Sequence, residues 1–280
     1  MFSATLLSSN RLQWAGWSPA AVTARPEAEV SGSEGLRGRI ALVTGGSSGL
    51  GRATALALAE VGADVAVLAR GSTDLDQTVE QVRARGVRAS AAVADLADAD
   101  AIERAVGKVR AELGRVDVLV NAAGTDVPGP VAELDVAAWD RVLAVNLRAS
   151  FLLAKAVWPD MCENGGGTIL NVSSVAGRRG WANAAAYCSA KFGLTGLTQA
   201  LAAEGKPQRI RACVLYPGAM DTSWGIWSPE DRTGSAEPTV PADALAPDQV
   251  ARLICWIAAA PPDVVLNEVT VTPLFEQGWP

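Results

Sequence analysis

From Gly38 onward the chain alternates between short apolar runs and longer amphipathic ones, and few architectures accept that alternation. Runs of five or six residues at Ile40–Thr44, Asp64–Ala69, Ala89–Ala94, Val116–Asn121, Thr168–Val172, Ile210–Leu215 and Glu268–Thr272 read as strands. Most are apolar at nearly every position, the pattern of strands covered on both faces. Helical segments fall between them near Gly51–Val61, Thr73–Arg85, Asp98–Leu113, Ala138–Cys162, Ala184–Glu204 and Pro247–Ala259. Strand, helix, strand with short links predicts a doubly wound α/β domain: a parallel sheet of about seven strands with helices on both faces. No repeat or linker divides residues 38–280, which read as one domain.

The stretch Met1–Arg37 lacks any period of 2 or 3.6 and reads as a poorly ordered tail. Arg11 and Arg25 with no acid before Glu27 faintly resemble an organellar leader, but a plain tail is the preferred reading. With 49% hydrophobic residues in 280, the chain can bury a substantial core. The net charge of -6 leaves no basic surplus for nucleic acid. Apolar runs break well short of about 18 residues, so no membrane span is expected. Four scattered cysteines without a CxxC pair suit a reducing, cytoplasmic setting.

The first strand runs directly into Thr44-Gly45-Gly46-Ser47-Ser48-Gly49-Leu50-Gly51, which opens a helix. Glycines there let the backbone turn tightly and approach a pyrophosphate, whose charge a helix N-terminus stabilises. Gly45, Ser47, Ser48, Gly49, Leu50 and Gly51 are therefore candidate cofactor contacts. A plain structural turn is the bland alternative. The second strand ends Val67-Leu68-Ala69-Arg70, with no carboxylate to meet a ribose 2′-OH and an Arg suited to a 2′-phosphate. That favours NADP(H) over NAD(H), although an Arg on a loop can simply be solvated. Asp95 and Leu96, after the third strand, are candidates for an adenine edge, with Asp95 capping the next helix as the equal alternative. Asn121, Ala122 and Gly124 close the fourth strand in small residues that let a cofactor lie close.

The chain contains no histidine, which excludes imidazole bases and His-ligated metal sites; no metal is expected. The chemistry must rest on other groups. Tyr187 and Lys191 stand four apart at the start of a predicted helix and project from one face. With two tyrosines and four lysines in the chain, such a pair arises by chance with an expectation of about 0.03. Ser173 and Ser174 end the fifth strand, and Ser174 precedes Tyr187 by thirteen residues. Strand end and helix start can converge at the carboxyl edge of the sheet, where open α/β folds bind ligands. A turn cap is the plainer role for either serine.

TGGSSGLG, NAAG, the Asn146 of Val-Asn-Leu, Ser174, the YCSAK stretch and Tyr216-Pro217-Gly218 occur together in one order. In this the chain resembles the short-chain dehydrogenase/reductase family, in its compact Rossmann-like branch, over about Gly38 to Pro273. The resemblance implies that Tyr187 is the general acid in reduction and the base in oxidation, and that Ser174 hydrogen-bonds the reacting oxygen. It implies that Lys191 holds the nicotinamide ribose and favours tyrosinate, and that Asn146 anchors a water behind it. Pro217 and Gly218 would border the nicotinamide, and Thr222 would meet its carboxamide. Bringing a tyrosine from a pKa near 10 to about 7 takes roughly 4 kcal/mol, within reach of a nearby Lys ammonium together with the positive ring of the oxidised cofactor in a partly desolvated site. Tyr216 departs from the family, which more often has a smaller residue there.

The segment from about 219 to 246 is too long for an ordinary connector and predicts a binding loop. Trp181, Trp224 and Trp227 suggest an aromatic-lined pocket for a hydrophobic ketone or secondary alcohol, unless they only pack the loop down. Helices as apolar as Ala138–Cys162 and Ala184–Glu204 need a partner; relatives commonly pair such helices in homodimers and homotetramers, and a buried intramolecular position accounts for some of the same pattern. The alternatives are an NAD(H)-dependent alcohol dehydrogenase and a non-catalytic dinucleotide-sensing protein. The latter has no need of Ser174, Tyr187 and Lys191 together.

Overall fold

The computed structural model describes residues 35–222 and 243–275. Trp224, Trp227, most of the expected 219–246 loop and the expected tail up to residue 34 lie outside the described residues. Seven strands form one parallel sheet in the order β3-β2-β1-β4-β5-β6-β7. They are β1 (Ile40–Thr44), β2 (Asp64–Ala69), β3 (Ala89–Val93), β4 (Val118–Asn121), β5 (Gly167–Val172), β6 (Ile210–Pro217) and β7 (Glu268–Val271). The α-helices among the described residues are α1 (Gly49–Glu60), α2 (Thr73–Arg83), α3 (Ala99–Glu112), α4 (Val136–Leu143), α5 (Ala149–Glu163), α6 (Ala185–Gly205) and α7 (Pro247–Ala259).

Adjacent strand residues feed opposite cores. Ala41, Val43, Val65, Val67, Val118 and Val120 join one cluster with α1, α2 and α7. Leu42, Ala66, Leu68, Leu119 and Ile169 join another with α3 and α5. Every residue of β1 is buried, which accounts for a strand apolar throughout rather than alternating. Each fully buried Leu or Val contributes about 1.5–3 kcal/mol, so these two layers carry the stability of the domain.

The structure corrects several boundaries. Leu36, placed in the tail by composition, is 3% exposed and packs into the first core; the ordered domain therefore starts ahead of Gly38. The single helix expected over Ala138–Cys162 is two, α4 and α5, joined by a π-helical turn at Ala144–Arg148. The whole helical stretch Val136–Glu163 is long and apolar enough to cross a membrane, against the expectation that no segment reaches that length. Val145, Ala149, Leu153, Val157 and Met161 pack it onto the sheet as a core helix. Asp98, not Asp95, caps α3: its carboxylate accepts from the N–H groups of Asp100 and Ala101.

Candidate active site

The strand order reverses between β1 and β4, and there two loops diverge and leave a crevice at the carboxyl rim. Thr44 at the end of β1 ties the two together: its Oγ1 accepts from the N–H groups of Ala122 and Ala123, both at 3.1 Å. The glycine loop then folds back on itself. A Cβ on Gly51 would stand 2.2 Å from the carbonyl oxygen of Gly45, and one on Gly46 would stand 2.7 Å from Val67. Only glycine fits either position. α1 opens without an acidic residue in its first turn, and the side chain of its cap, Ser48, makes no cap hydrogen bond. A glycine-rich cradle carrying Ser47 and Ser48, at a helix start that no side chain caps, fits a dinucleotide pyrophosphate.

Other predicted contacts surround the crevice. Arg70 is exposed at the end of β2. It lies near enough to Asp95 for its charge to help hold that carboxylate below the ordinary range. The main causes there are the hydrogen bond from the Ala97 N–H and the Arg141 guanidinium. Leu96 is buried in the second core, so its side chain does not face a ligand. Asn121 is buried, donates to Asn171 Oδ1 at 2.8 Å, and has its own Oδ1 without a protein partner. Ala122 is half-buried and Gly124 exposed. Pro217 ends β6, and the Gly218 N–H donates to Val271. The methyl of Thr222 comes within 3.4 Å of where a Cβ on Gly49 would stand, which brings the chain after β6 onto the glycine loop.

On the other side of the crevice, Ser174, Tyr187 and Lys191 converge as predicted. Ser174 accepts from the Ala176 N–H at 3.1 Å and is hydrogen-bonded to Tyr187, so it both caps a turn and faces the phenol. Lys191 is 4% exposed; its Nζ donates to the Val172 carbonyl at 2.8 Å and lies 5.5 Å from the centroid of the Tyr187 ring. Ser173 and Thr195 both donate to the Lys191 carbonyl, each at 3.2 Å, and fix the helical turn that carries it. Asn146 sits in the π-helical turn. Its amide closes a ring on Thr125, accepting from the N–H at 2.8 Å and donating to the carbonyl at 2.7 Å. π-helical turns of this kind concentrate at functional sites.

Burial dominates the electrostatics of this group. It pushes the Tyr187 phenol well above its ordinary value; the hydrogen bond to Ser174 acts against this and the charge of Asp126 adds to it. It pushes the Lys191 ammonium down to about 8, against the attraction of Asp126. The expected lowering of the tyrosine by the lysine is therefore not a property of the chain's own charges. Tyr187 is a protonated donor at neutral pH.

Two features went unread in the sequence, and a third, Tyr216, was noted only as a departure from the family. Asp126 faces this group from the loop after β4, and burial raises its carboxyl to about 6. An acid just past NAAG carries no motif signal. Asn171 in β5 donates to Thr198, which donates to the Leu194 carbonyl, and so joins β4, β5 and α6 through buried polar groups; a polar residue inside an apolar strand was the available clue. Tyr216 is fully buried, donates to Thr195 at 3.2 Å, and has Arg178 at 4.9 Å over its ring. Trp181 is 49% exposed on the loop before α6.

A family model described as short chain dehydrogenase matches residues 39–232. D-threitol dehydrogenase of Mycolicibacterium smegmatis is 36% identical over 227 residues, 80% of this chain and 87% of its own. A metagenomic short-chain oxidoreductase solved in complex with NADP is 34% identical, covers 85% of this chain and 99% of its own, and superposes with a TM-score of 0.72. An alcohol dehydrogenase from the archaeon Thermococcus sibiricus, complexed with 5-hydroxy-NADP, is 27% identical with a TM-score of 0.77, over 86% of this chain and 99% of its own.

Proposed function

The chain belongs to the short-chain dehydrogenase/reductase family, and from that premise we propose that it is an NADP(H)-dependent oxidoreductase of a ketone or secondary alcohol, of the carbonyl reductase type. One observation carries the reading: Tyr187, hydrogen-bonded to Ser174 and within 5.5 Å of the Lys191 ammonium, meets the glycine cradle across one crevice. A bound dinucleotide would supply or accept the hydride and, when oxidised, would carry a positive charge. Tyr187 gives its proton to the carbonyl oxygen in reduction and takes it back in oxidation. Ser174 hydrogen-bonds the same oxygen as charge develops on it. Lys191, held by Val172, is placed to grip the nicotinamide ribose, and Asn146 fixes the loop after β4 beside it.

The choice of NADP(H) rests on Ala69 and Arg70 standing where a carboxylate would select NAD(H). The metagenomic relative, solved with NADP, supports the same choice. Trp181, with Trp224 and Trp227, is read as the wall of a hydrophobic substrate pocket. The exposed Phe151 on α5 and Phe192 on α6 support a homodimer or homotetramer paired through those helices. Residues 38–280, with Leu36 packed beneath them, are read as one catalytic domain of a cytoplasmic enzyme behind a tail.

The test is a titration of the protein with NADPH and NADH by tryptophan quenching. NADPH is expected to bind more tightly, and Arg70→Ala to lower that preference by about tenfold, the worth of one charged hydrogen bond to phosphate. Equal affinities in the unaltered protein would overturn the cofactor assignment and leave the catalytic group standing.

A further inference from the structure

Asp126 has no part in the mechanism above, yet the structure anchors it on the loop that faces Tyr187 and Lys191. Thr125 before it is clamped at both N–H and C=O by the Asn146 amide. Gly129 after it donates to the carbonyl of Asn183 at 3.0 Å, just ahead of α6. Between these anchors Val127 packs against Val142, Ala186 and Ala190, so it sits on the residues that flank Tyr187. The strap 125–129 therefore crosses the start of α6, and the carboxyl it carries acts electrostatically on both Tyr187 and Lys191. Asp126 accepts one hydrogen bond from the Val127 N–H at 2.8 Å. Among the described residues it forms no ion pair within 4 Å.

A half-buried carboxyl held this way is costly unless something repays it. Its nearest charge, Lys191, is committed to the Val172 carbonyl. We propose that Asp126 selects the substrate, accepting a hydrogen bond from a hydroxyl on the carbon next to the reacting one, so that the preferred substrates are apolar α-hydroxy ketones and the vicinal diols they yield. The reacting oxygen must lie against Ser174 and Tyr187. A substrate held there presents the groups next to its reacting carbon toward the strap that carries Asp126, which is anchored over the start of α6. A neutral donor suits the place better than an ammonium, because Lys191 already puts a cation there. In the reduction, hydride from NADPH adds to the carbonyl carbon and the Tyr187 proton goes to its oxygen, while the neighbouring hydroxyl keeps its proton. Although burial raises the carboxyl to about 6, it stays mostly ionised at neutral pH and able to accept.

This inference rests on the oxidoreductase reading, and its test separates the two. Specificity constants with NADPH are measured for 2-hydroxyacetophenone and acetophenone, in the unaltered protein, Asp126→Ala and Asp126→Asn. The hydroxy ketone is intrinsically the more reactive, so the informative quantity is the change in the ratio between proteins. Asp126→Ala is expected to lower the ratio by about tenfold or more, and Asp126→Asn, which keeps an acceptor oxygen, by less. A ratio unchanged in Asp126→Ala overturns the proposal, including the case where both substrates decline in parallel. Binding of the same two ketones to Tyr187→Phe with NADPH, followed by tryptophan fluorescence, gives a readout without turnover. If the unaltered protein reduces neither ketone but this binding still depends on Asp126, the oxidoreductase reading fails and Asp126 stands. If reduction proceeds and neither readout depends on Asp126, the reverse holds.

Discussion

On the β1–β2–β3 side of the sheet, the carboxyl rim offers mostly backbone. Gly45, Gly46, Gly49 and Gly51 form the cradle there, and the strands beneath them are almost wholly apolar. On the β4–β5–β6 side, the rim offers side chains. Asn121, Asn171, Thr198, Ser173, Lys191, Thr195 and Tyr216 are linked by hydrogen bonds, most of them buried. One side works by leaving atoms out, and the other by tying most of its buried polar atoms together, with Asn121 Oδ1 left without a protein partner. The two should therefore fail in opposite ways: the first when a carbon is added, the second when an oxygen or nitrogen is removed.

The sharpest form of that contrast is Tyr187→Phe, which deletes one oxygen from the side-chain half. Turnover should fall on the order of 10³-fold while NADPH affinity holds; steady-state kinetics with a cofactor titration checks both. Next comes Gly51→Ala, which adds one carbon to the backbone half. A Cβ 2.2 Å from the Gly45 carbonyl forces the loop open, and NADPH affinity should drop about 100-fold, read by the same titration. Asn171→Ala leaves Thr198 and Asn121 each short of a partner, and urea unfolding should show a loss of about 2 kcal/mol. The smallest effect is a slope. Lys191, with its folded pKa near 8 against an ordinary 10.5, binds fewer protons folded than unfolded between those values. Stability should thus rise from pH 8 to pH 10, on the order of 1–2 kcal/mol. The rise should be absent in Lys191→Met, measured by unfolding across that range.

The same contrast decides what could be read in advance. The backbone half was legible almost to the residue, because a cradle of glycines after a strand is written in one contiguous stretch. Strands β1 and β2 match their expected bounds, and Arg70 stands where the second strand's end placed it. In the side-chain half, Tyr187 and Lys191 were legible because four residues of helix place them on one face. Their support was not. Asn171 meets Asn121 and Thr198 only through the pairing of β4 with β5 and the packing of α6 on β5. The π-helical turn at 144–148 leaves no mark in the hydrophobic period, because Val142, Leu143, Ala144, Val145 and Leu147 make that stretch apolar almost all round. Asp126 was missed because its position depends on two anchors, Asn146 and Asn183, that are distant in the chain. The tail boundary fell short for a simpler reason: Leu36 is one apolar residue in a polar stretch.

The contact between Thr222 and the glycine loop bears on timing. Residues of the first turn after β1 meet their neighbours from beyond β6 only when nearly the whole chain is available, and a parallel sheet with such distant partners assembles slowly. A chain still emerging from the ribosome carries the glycine loop early but does not yet have Thr222 against it. Tight retention of a dinucleotide is thus among the last properties such a chain acquires. Once retained, the ligand stabilises the finished fold by mass action, so cellular cofactor supply helps decide how many newly made chains escape proteolysis.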